Sequence, residues 1–256
     1  MSNLENRLRQ LRPLGGMYPV DIVFVVDATE SMGPCLETVK FNVLRLGDDL
    51  RDRMIKDGKN LDSLRVRLIV FRDLYDQAES AFEVTPFYEL PLQRQEFEKA
   101  VSKIEAFGGA DPSESGLEAL FLAIRSSWRN EPRNLKRRHV IALFTDQDAH
   151  EIGAEIPITY AQQPHPKTFT DLKALWEGGD KRGSMNANGK RLILFAPDKV
   201  LEDSSKLVED EGDLMRNTWW SKIFEEWSNC WIIRDTSVGL KETDWDEVLS
   251  KLNSTL

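Results

Sequence analysis

The sequence predicts an α/β fold: a doubly wound, mainly parallel central sheet flanked by helices on both faces, with one antiparallel edge strand. Three observations predict it. Short apolar runs recur along the 256-residue chain at 22–26, 65–71, 140–144, 192–196 and 231–233. The first, Ile-Val-Phe-Val-Val, is unbroken by any polar residue, the mark of a strand buried on both faces. Segments of helical periodicity separate these runs. Strands alternating with helices make a parallel sheet with both faces covered, and right-handed crossovers wind it in two directions. In such a fold, ligands bind at the carboxyl ends of the strands, where the strand order reverses.

The elements follow in order. Residues 1–17 read as an N-terminal helical extension with Leu4, Leu8 and Leu11 on one face, ended by Pro13, Gly15 and Gly16. Residues 18–256 read as one domain. After the strand at 20–26, a long helix is predicted over 33–57, because Leu36, Val39, Val43, Leu46, Leu50 and Met54 recur at spacings of three and four. Gly58 closes it. The second strand covers 65–71 and continues into Arg72-Asp73. Residues 81–91 form a short strand or hairpin that Pro86 and Pro91 keep at an edge. A helix over 92–106 carries Phe97, Val101 and Ile104. The loop 108–112 follows, then a helix over 113–128 with Leu117, Leu120, Phe121 and Ile124 inward; Pro112 and Glu114 suit its first turn. The strand at 140–144 ends in Thr145-Asp146. Residues 147–188 are irregular, with a short helix near 168–177 and glycine-rich turns, and are expected to be an insertion or a mobile loop. A strand at 192–196, a helical segment over 200–228 with Gly212 as a candidate break, a strand at 231–233 and a helix over 243–253 complete the chain.

Composition narrows the function. A net charge of −9 argues against nucleic acid as the main partner, since phosphate binding needs a basic surface. The local run Lys136-Arg137-Arg138 precedes a strand and reads as a solvated entry turn. Two cysteines, Cys35 and Cys230, make neither a disulfide framework nor a zinc site, and Cys230 reads as a core residue. No apolar stretch approaches the ~20 residues of a membrane span, and no secretory signal is visible, so a cytoplasmic protein is the expectation.

The chemistry gathers after the first strand. Asp27, Thr29 and Ser31 present oxygen-bearing side chains at alternating positions of a tight loop, which suits a hard divalent cation. Further oxygens are predicted at the same edge: Asp111 in the Gly-Gly-Ala-Asp-Pro-Ser-Glu loop, and Asp146 at the end of a later strand. Each also has a plainer reading. Asp27 and Ser31 could cap the following helix, Asp111 before Pro112 could cap its own, and Asp146 could simply end its strand. Asp73, Asp148 and His150 lie near the same edge and read as solvated or loop-structuring residues. His165, between Pro164 and Pro166, reads as loop surface.

The combination resembles the von Willebrand factor A domain with its metal-ion-dependent adhesion site. That family carries Asp-x-Ser-x-Ser after the first strand, matched here by Asp27-Ala28-Thr29-Glu30-Ser31 with Thr for the first Ser. The second loop resembles the branch reading Gly-Gly-x-Asp-x-Pro-Glu, with Pro112 directly after the Asp. The third element is Asp146. The resemblance implies a Mg²⁺ or Mn²⁺ ion held by the Thr29 and Ser31 hydroxyls with Asp27, Asp111 and Asp146 nearby, and a coordination position left for an acidic side chain of a protein partner. An Asp at 111 adds a negative charge, which tightens the cation and weakens its pull on an acidic ligand; Glu30 adds another carboxylate. For intracellular bacterial members the resemblance implies a non-catalytic scaffold or adaptor, sometimes beside kinases, phosphatases or AAA+ ATPases; charge and hydropathy add the expectation of no nucleic acid and no membrane partner. Two other readings stand beside it. One is a metal-free structural subunit of the same fold. The other is a metal-dependent phosphohydrolase, for which the chain lacks Asp-x-Asp after the first strand; it has no phosphate loop and no Gly-x-Gly-x-x-Gly either.

Overall fold

The computed structural model describes residues 17–76, 78–109, 113–130, 137–153, 165–178, 185–197, 200, 218–235 and 250. The predicted terminal helices at 1–17 and 243–253, and most of the helical segment after 200, lie outside them, as does Asp111. Within them, β1 (Met17–Asp27) leads through a 3-10 turn (Glu30–Met32) into α1 (Gly33–Lys56), followed by β2 (Asn60–Phe71), β3 (Phe82–Val84), β4 (Tyr88–Leu90) and α2 (Arg94–Ser102). Next come β5 (Ser113–Glu114), α3 (Gly116–Ile124), β6 (Arg138–Phe144), β7 (Asp148–Ala149), α4 (Phe169–Glu177), β8 (Lys190–Pro197), α5 (Trp219–Glu226) and β9 (Cys230–Asp235).

The main sheet runs β3-β2-β1-β6-β8-β9, and β4 shares the outer edge of β2 with β3. β1 pairs in parallel with β2 on one side and with β6 on the other; β8 and β9 extend the parallel set. The antiparallel edge is thus two short pieces, Phe82–Val84 against Ile69–Phe71 and Tyr88–Leu90 against Leu64–Val66, rather than one strand. Pro86 lies between them, where no ladder hydrogen bond is required of it.

Alternation along β1 explains its unbroken apolar run. Ile22, Phe24 and Val26 enter one core with Leu36, Val39, Val43 and Leu50 of α1 and Phe97 and Val101 of α2. Val23 and Val25 enter the other core with Leu120 and Phe121 of α3, Leu172 and Trp176 of α4, and Trp220 and Ile223 of α5. A strand covered on both faces has no place for a polar residue, so its sequence is apolar throughout. The chain leaves β1 toward β2 and later returns to its other side as β6. The reversal of strand order therefore falls between β1 and β6, at the carboxyl ends that carry Asp27 and Asp146.

Three sequence expectations shift. Arg137 is buried, not solvated. The turn at Gly189 runs so close to it that a Cβ there would lie 2.2 Å from the Arg137 carbonyl oxygen. The helix expected from 113 begins at Gly116, because Ser113–Glu114 pair with Asp148–Ala149 in a second small sheet. Cys230 is half-buried on β9, and burial pushes its thiol well up from its ordinary range.

At the opposite end of the sheet from Asp27, Asp21 is 1% exposed. Arg65 binds both its carboxylate oxygens, and the Arg129 amide donates to Oδ2 at 3.0 Å. His139 accepts from the Asn186 amide at Nδ1 (2.9 Å) and faces the Arg129 carbonyl with Nε2 (3.1 Å), so its Nε2 carries the proton. Burial drives its pKa down to about 4 and keeps the ring neutral. This network ties the segment after α3 to the foot of β1, β2 and β6. Removing Arg65 leaves the Asp21 charge buried without its cation, so Arg65→Met should lower unfolding stability in urea by about 3 kcal/mol. Lys40→Met, which breaks an ion pair with the exposed Glu37, should change it by less than about 1 kcal/mol.

Candidate functional site

β1 ends at Asp27, whose neighbour in register on β2 is Phe71, while Val26 faces Phe144 of β6. The turn after Asp27 is held by backbone bonds on two sides. The Ala28 amide donates to the Phe71 carbonyl at 2.9 Å. The Phe107 amide donates to the Ala28 carbonyl at 3.0 Å, and the Glu30 amide to the Gly108 carbonyl at 2.9 Å. The 105–109 segment is thereby laid along the turn.

The side chains form one continuous chain of oxygens. Thr29 donates to Asp27 Oδ1 through its amide (3.0 Å) and its hydroxyl (2.7 Å). Thr145 Oγ1 donates to Asp27 Oδ2 at 2.8 Å. Ser31 Oγ donates to Asp146 Oδ1 at 2.8 Å, and Thr29 Oγ1 meets Ser31 Oγ at 3.2 Å. Asp27, Thr29, Thr145 and Asp146 are buried and Ser31 is exposed, so the chain opens to solvent at one hydroxyl. The plainer capping roles are not what these side chains do: Met32 stands at the N-cap of α1, and the Ser31 hydroxyl crosses to β6 instead.

A hydroxyl has one proton and two lone pairs. Either hydroxyl has the geometry to donate across the Thr29–Ser31 contact; when Thr29 gives its proton to Asp27 and Ser31 gives its proton to Asp146, the two oxygens meet through lone pairs. That donor set suits a hard cation. Two oxygens bound in adjacent positions to one Mg²⁺ at about 2.0–2.1 Å stand roughly 2.9 Å apart. The Thr29–Ser31 separation, 3.2 Å, is close to that value. The fit depends on the hydroxyls: among the described residues, no three His, Cys, Asp or Glu side chains are gathered to hold an ion.

The remaining predicted residues sort as follows. Asp111 lies outside the described residues. Asp73 is buried; its Oδ1 accepts from the Tyr75 amide at 2.9 Å and lies 3.3 Å from His150 Nε2. Asp148 Oδ1 accepts from the Trp219 amide at 3.0 Å, the first amide of α5 after its N-cap Thr218. Both structure loops. His165 lies beside Lys167, 3.1 Å from its Nζ. Glu114 is a residue the sequence reading placed only in a helical turn. It is buried, and a Cβ at Gly109 would lie 2.7 Å from its Oε1 and 3.1 Å from Thr29 Cβ. With φ at +86°, Gly109 is the residue that allows this approach. Glu114 therefore backs Gly109 against Thr29. The signal was in the pattern itself, since Gly-Gly-x-Asp-x-Pro-Glu ends on a Glu at the place Glu114 occupies.

Burial raises the Asp27 pKa to about 6, aided by the nearby Asp146 carboxylate and opposed by the hydrogen bonds from Thr29 and Thr145.

The model of the von Willebrand factor type A domain family matches residues 21–170, more than half of the chain. No curated protein matches it. Among solved structures, the pilus adhesin SpaC from Lactobacillus rhamnosus GG in its open conformation is similar at 13% identity and a TM-score of 0.51, over 93% of this chain and 30% of the adhesin. A second structure of SpaC matches at 12% identity and a TM-score of 0.50. Proximal thread matrix protein 1 from the mussel byssus matches at 14% identity and a TM-score of 0.45, over 46% of its length. At these identities the SpaC likeness speaks for the fold, and the chain spans less than a third of the adhesin.

The raised pKa gives a testable sign. In EDTA, folded Asp27 takes up its proton near pH 6 and unfolded Asp27 near 3.8. Above pH 6 the folded state carries a buried charge; as pH falls from 6 toward 4, that penalty is relieved. Asp27→Asn, which keeps the shape of the neutral acid, should be more stable than the native chain at pH 7.5 by on the order of 3 kcal/mol. In urea titrations without metal, the difference should close by about pH 4.

Proposed function

The chain belongs to the von Willebrand factor type A domain family, and from that premise we propose that it is a metal-dependent protein-interaction module without catalytic activity. The observation that carries the reading is the 3.2 Å approach of the Thr29 and Ser31 hydroxyls, each hydrogen-bonded to a flanking carboxylate, Asp27 or Asp146, at the reversal of strand order. The two hydroxyls would bind a Mg²⁺ or Mn²⁺ ion directly. Asp27 and Asp146, as hydrogen-bond acceptors, orient those hydroxyls and balance the ion's charge; Asp111 is proposed as a further oxygen of the same set. The bound ion supplies one strong positive charge at the surface, available to an acidic side chain of a partner.

This chain's residues then do three things. Asp27 and Thr145 fix the inner end of the oxygen chain and exclude water from it. Ser31, the exposed member, faces the partner. Glu30, also exposed, selects against partners whose other contacts are acidic. The proposed setting is cytoplasmic, in an assembly where the domain acts as a scaffold or adaptor. Among the described residues, no helix is long and apolar enough to cross a membrane.

The test is the melting temperature in EDTA, Mg²⁺, Mn²⁺ and Ca²⁺ at pH 7.5. At a hundredfold excess over the dissociation constant, Mg²⁺ or Mn²⁺ should add about 2.7 kcal/mol, a rise of roughly 5–10 °C for a chain of this size. The rise should be absent in Asp27→Ala. No rise with any of the three metals in the native chain would defeat the metal reading and favour a metal-free structural subunit. Phosphatase turnover with Mg²⁺ or Mn²⁺ that disappears in Asp27→Ala would defeat the non-catalytic one.

A further inference from the structure

We propose that Arg72 is the positioning residue of this site, holding the 105–109 segment in the conformation that lays Gly109 against Thr29. Arg72 follows Phe71 at the end of β2 and its side chain is wholly buried. Its guanidinium reaches two separate segments, 80–83 and 105–107. Nη2 donates to the Glu105 carbonyl at 2.7 Å, Nη1 donates to the Ser80 carbonyl at 3.2 Å, and Nη2 pairs with Glu83 of β3 at 3.0 Å. The guanidinium also lies over the Phe107 ring, 3.8 Å from its centroid. Its own amide donates to the Ala81 carbonyl at 2.8 Å.

A cation taken wholly out of water persists only where its charge is answered and most of its protons are used; of the Arg72 nitrogens, Nη1 and Nη2 are bonded and Nε is not. Here the answering groups belong to the segments that must be kept in register. Glu105 and Phe107 are the residues just before Gly108 and Gly109. The Phe107 amide and the Gly108 carbonyl are the two groups that bind Ala28 and Glu30 of the oxygen-bearing turn. Arg72 thus fixes the far side of the 105–109 segment, and the turn fixes the near side. A planar fork is needed to donate to two carbonyls at once while its face covers a ring; a lysine ammonium offers the charge but neither the second directed bond nor the flat face. The consequence for the metal rests on the function proposed above. The consequence for the segment does not.

The experiment uses the full chain and two readouts on Arg72→Met, Arg72→Lys and Phe107→Leu. The first is amide hydrogen exchange in EDTA at Glu30 and Phe107, compared with interior amides of α1 and β8. The second is the Mn²⁺ dissociation constant of the folded protein, from the electron paramagnetic resonance signal of free Mn²⁺. In Arg72→Met, exchange at Glu30 and Phe107 should rise at least tenfold more than at the reference amides, and Mn²⁺ should bind at least tenfold more weakly. Arg72→Lys and Phe107→Leu should move both readouts in the same direction by less, and they carry the test if Arg72→Met does not fold. Uniformly faster exchange with an unchanged Mn²⁺ constant would overturn the proposal, leaving Arg72 a general stabilising residue. If the native chain binds no Mn²⁺, the metal reading fails, and the role of Arg72 is decided by the exchange pattern alone.

Discussion

Asp27 ends the central strand of the sheet with no exposure to water, and the surrounding structure answers to that burial. A carboxylate taken out of water must be given donors. It receives three: the amide and hydroxyl of Thr29, and the hydroxyl of Thr145. Two of these require the chain to curl back immediately after β1, and the third requires β6 to lie alongside. The turn, the neighbouring strand and the orientation of the Thr29 hydroxyl are all fixed by one acceptor. Its raised pKa says that the donors compensate the burial only in part. A cation beside the oxygen chain would supply the missing positive charge.

The same logic runs outward. When its proton is committed to Asp27, Thr29 meets Ser31 through a lone pair, and Ser31 has Asp146 to take its own proton. Two elements far apart in sequence are joined by four side chains, and the join sits where the sheet changes direction. The 105–109 segment is pressed onto this join from one side by Glu114 behind Gly109 and is held from the other by Arg72 beneath Phe107. The foot of the sheet carries its own buried charge, Asp21, fully supplied by Arg65 and the Arg129 amide. One carboxylate is therefore closed off by a guanidinium, while the other is bounded by buried hydroxyls whose chain reaches solvent at Ser31. That difference separates a lock from a site able to bind.

The sequence made the layered architecture legible because burial on both faces leaves no polar residue in strands such as 22–26 and 140–144. The helical face of α1 was equally plain, from Leu36 to Met54. Oxygen spacing picked out Asp27, Thr29 and Ser31, and the structure links them with Asp146 in one chain. The sequence did not reveal the division of the antiparallel edge, since two three-residue strands carry too little pattern. The start of α3 was misplaced because Ser113 and Glu114 are drawn into pairing with Asp148 and Ala149, a contact between distant segments. Arg137 looked solvated because nothing in its own neighbourhood announces the turn that covers it. Arg72 escapes notice for the same reason, since its importance lies in partners at Glu105 and Phe107; Glu114 carries a signal in its motif, but its partner Gly109 is visible only in the fold.

The most direct test of the central claim is a crystal structure grown with Mn²⁺, with anomalous scattering recorded at the manganese edge. The account predicts one strong anomalous peak within about 2.3 Å of both Thr29 Oγ1 and Ser31 Oγ, with Asp27 still accepting the Thr29 proton. No peak at that place, with the Thr29–Ser31 contact unchanged at saturating Mn²⁺, would contradict it.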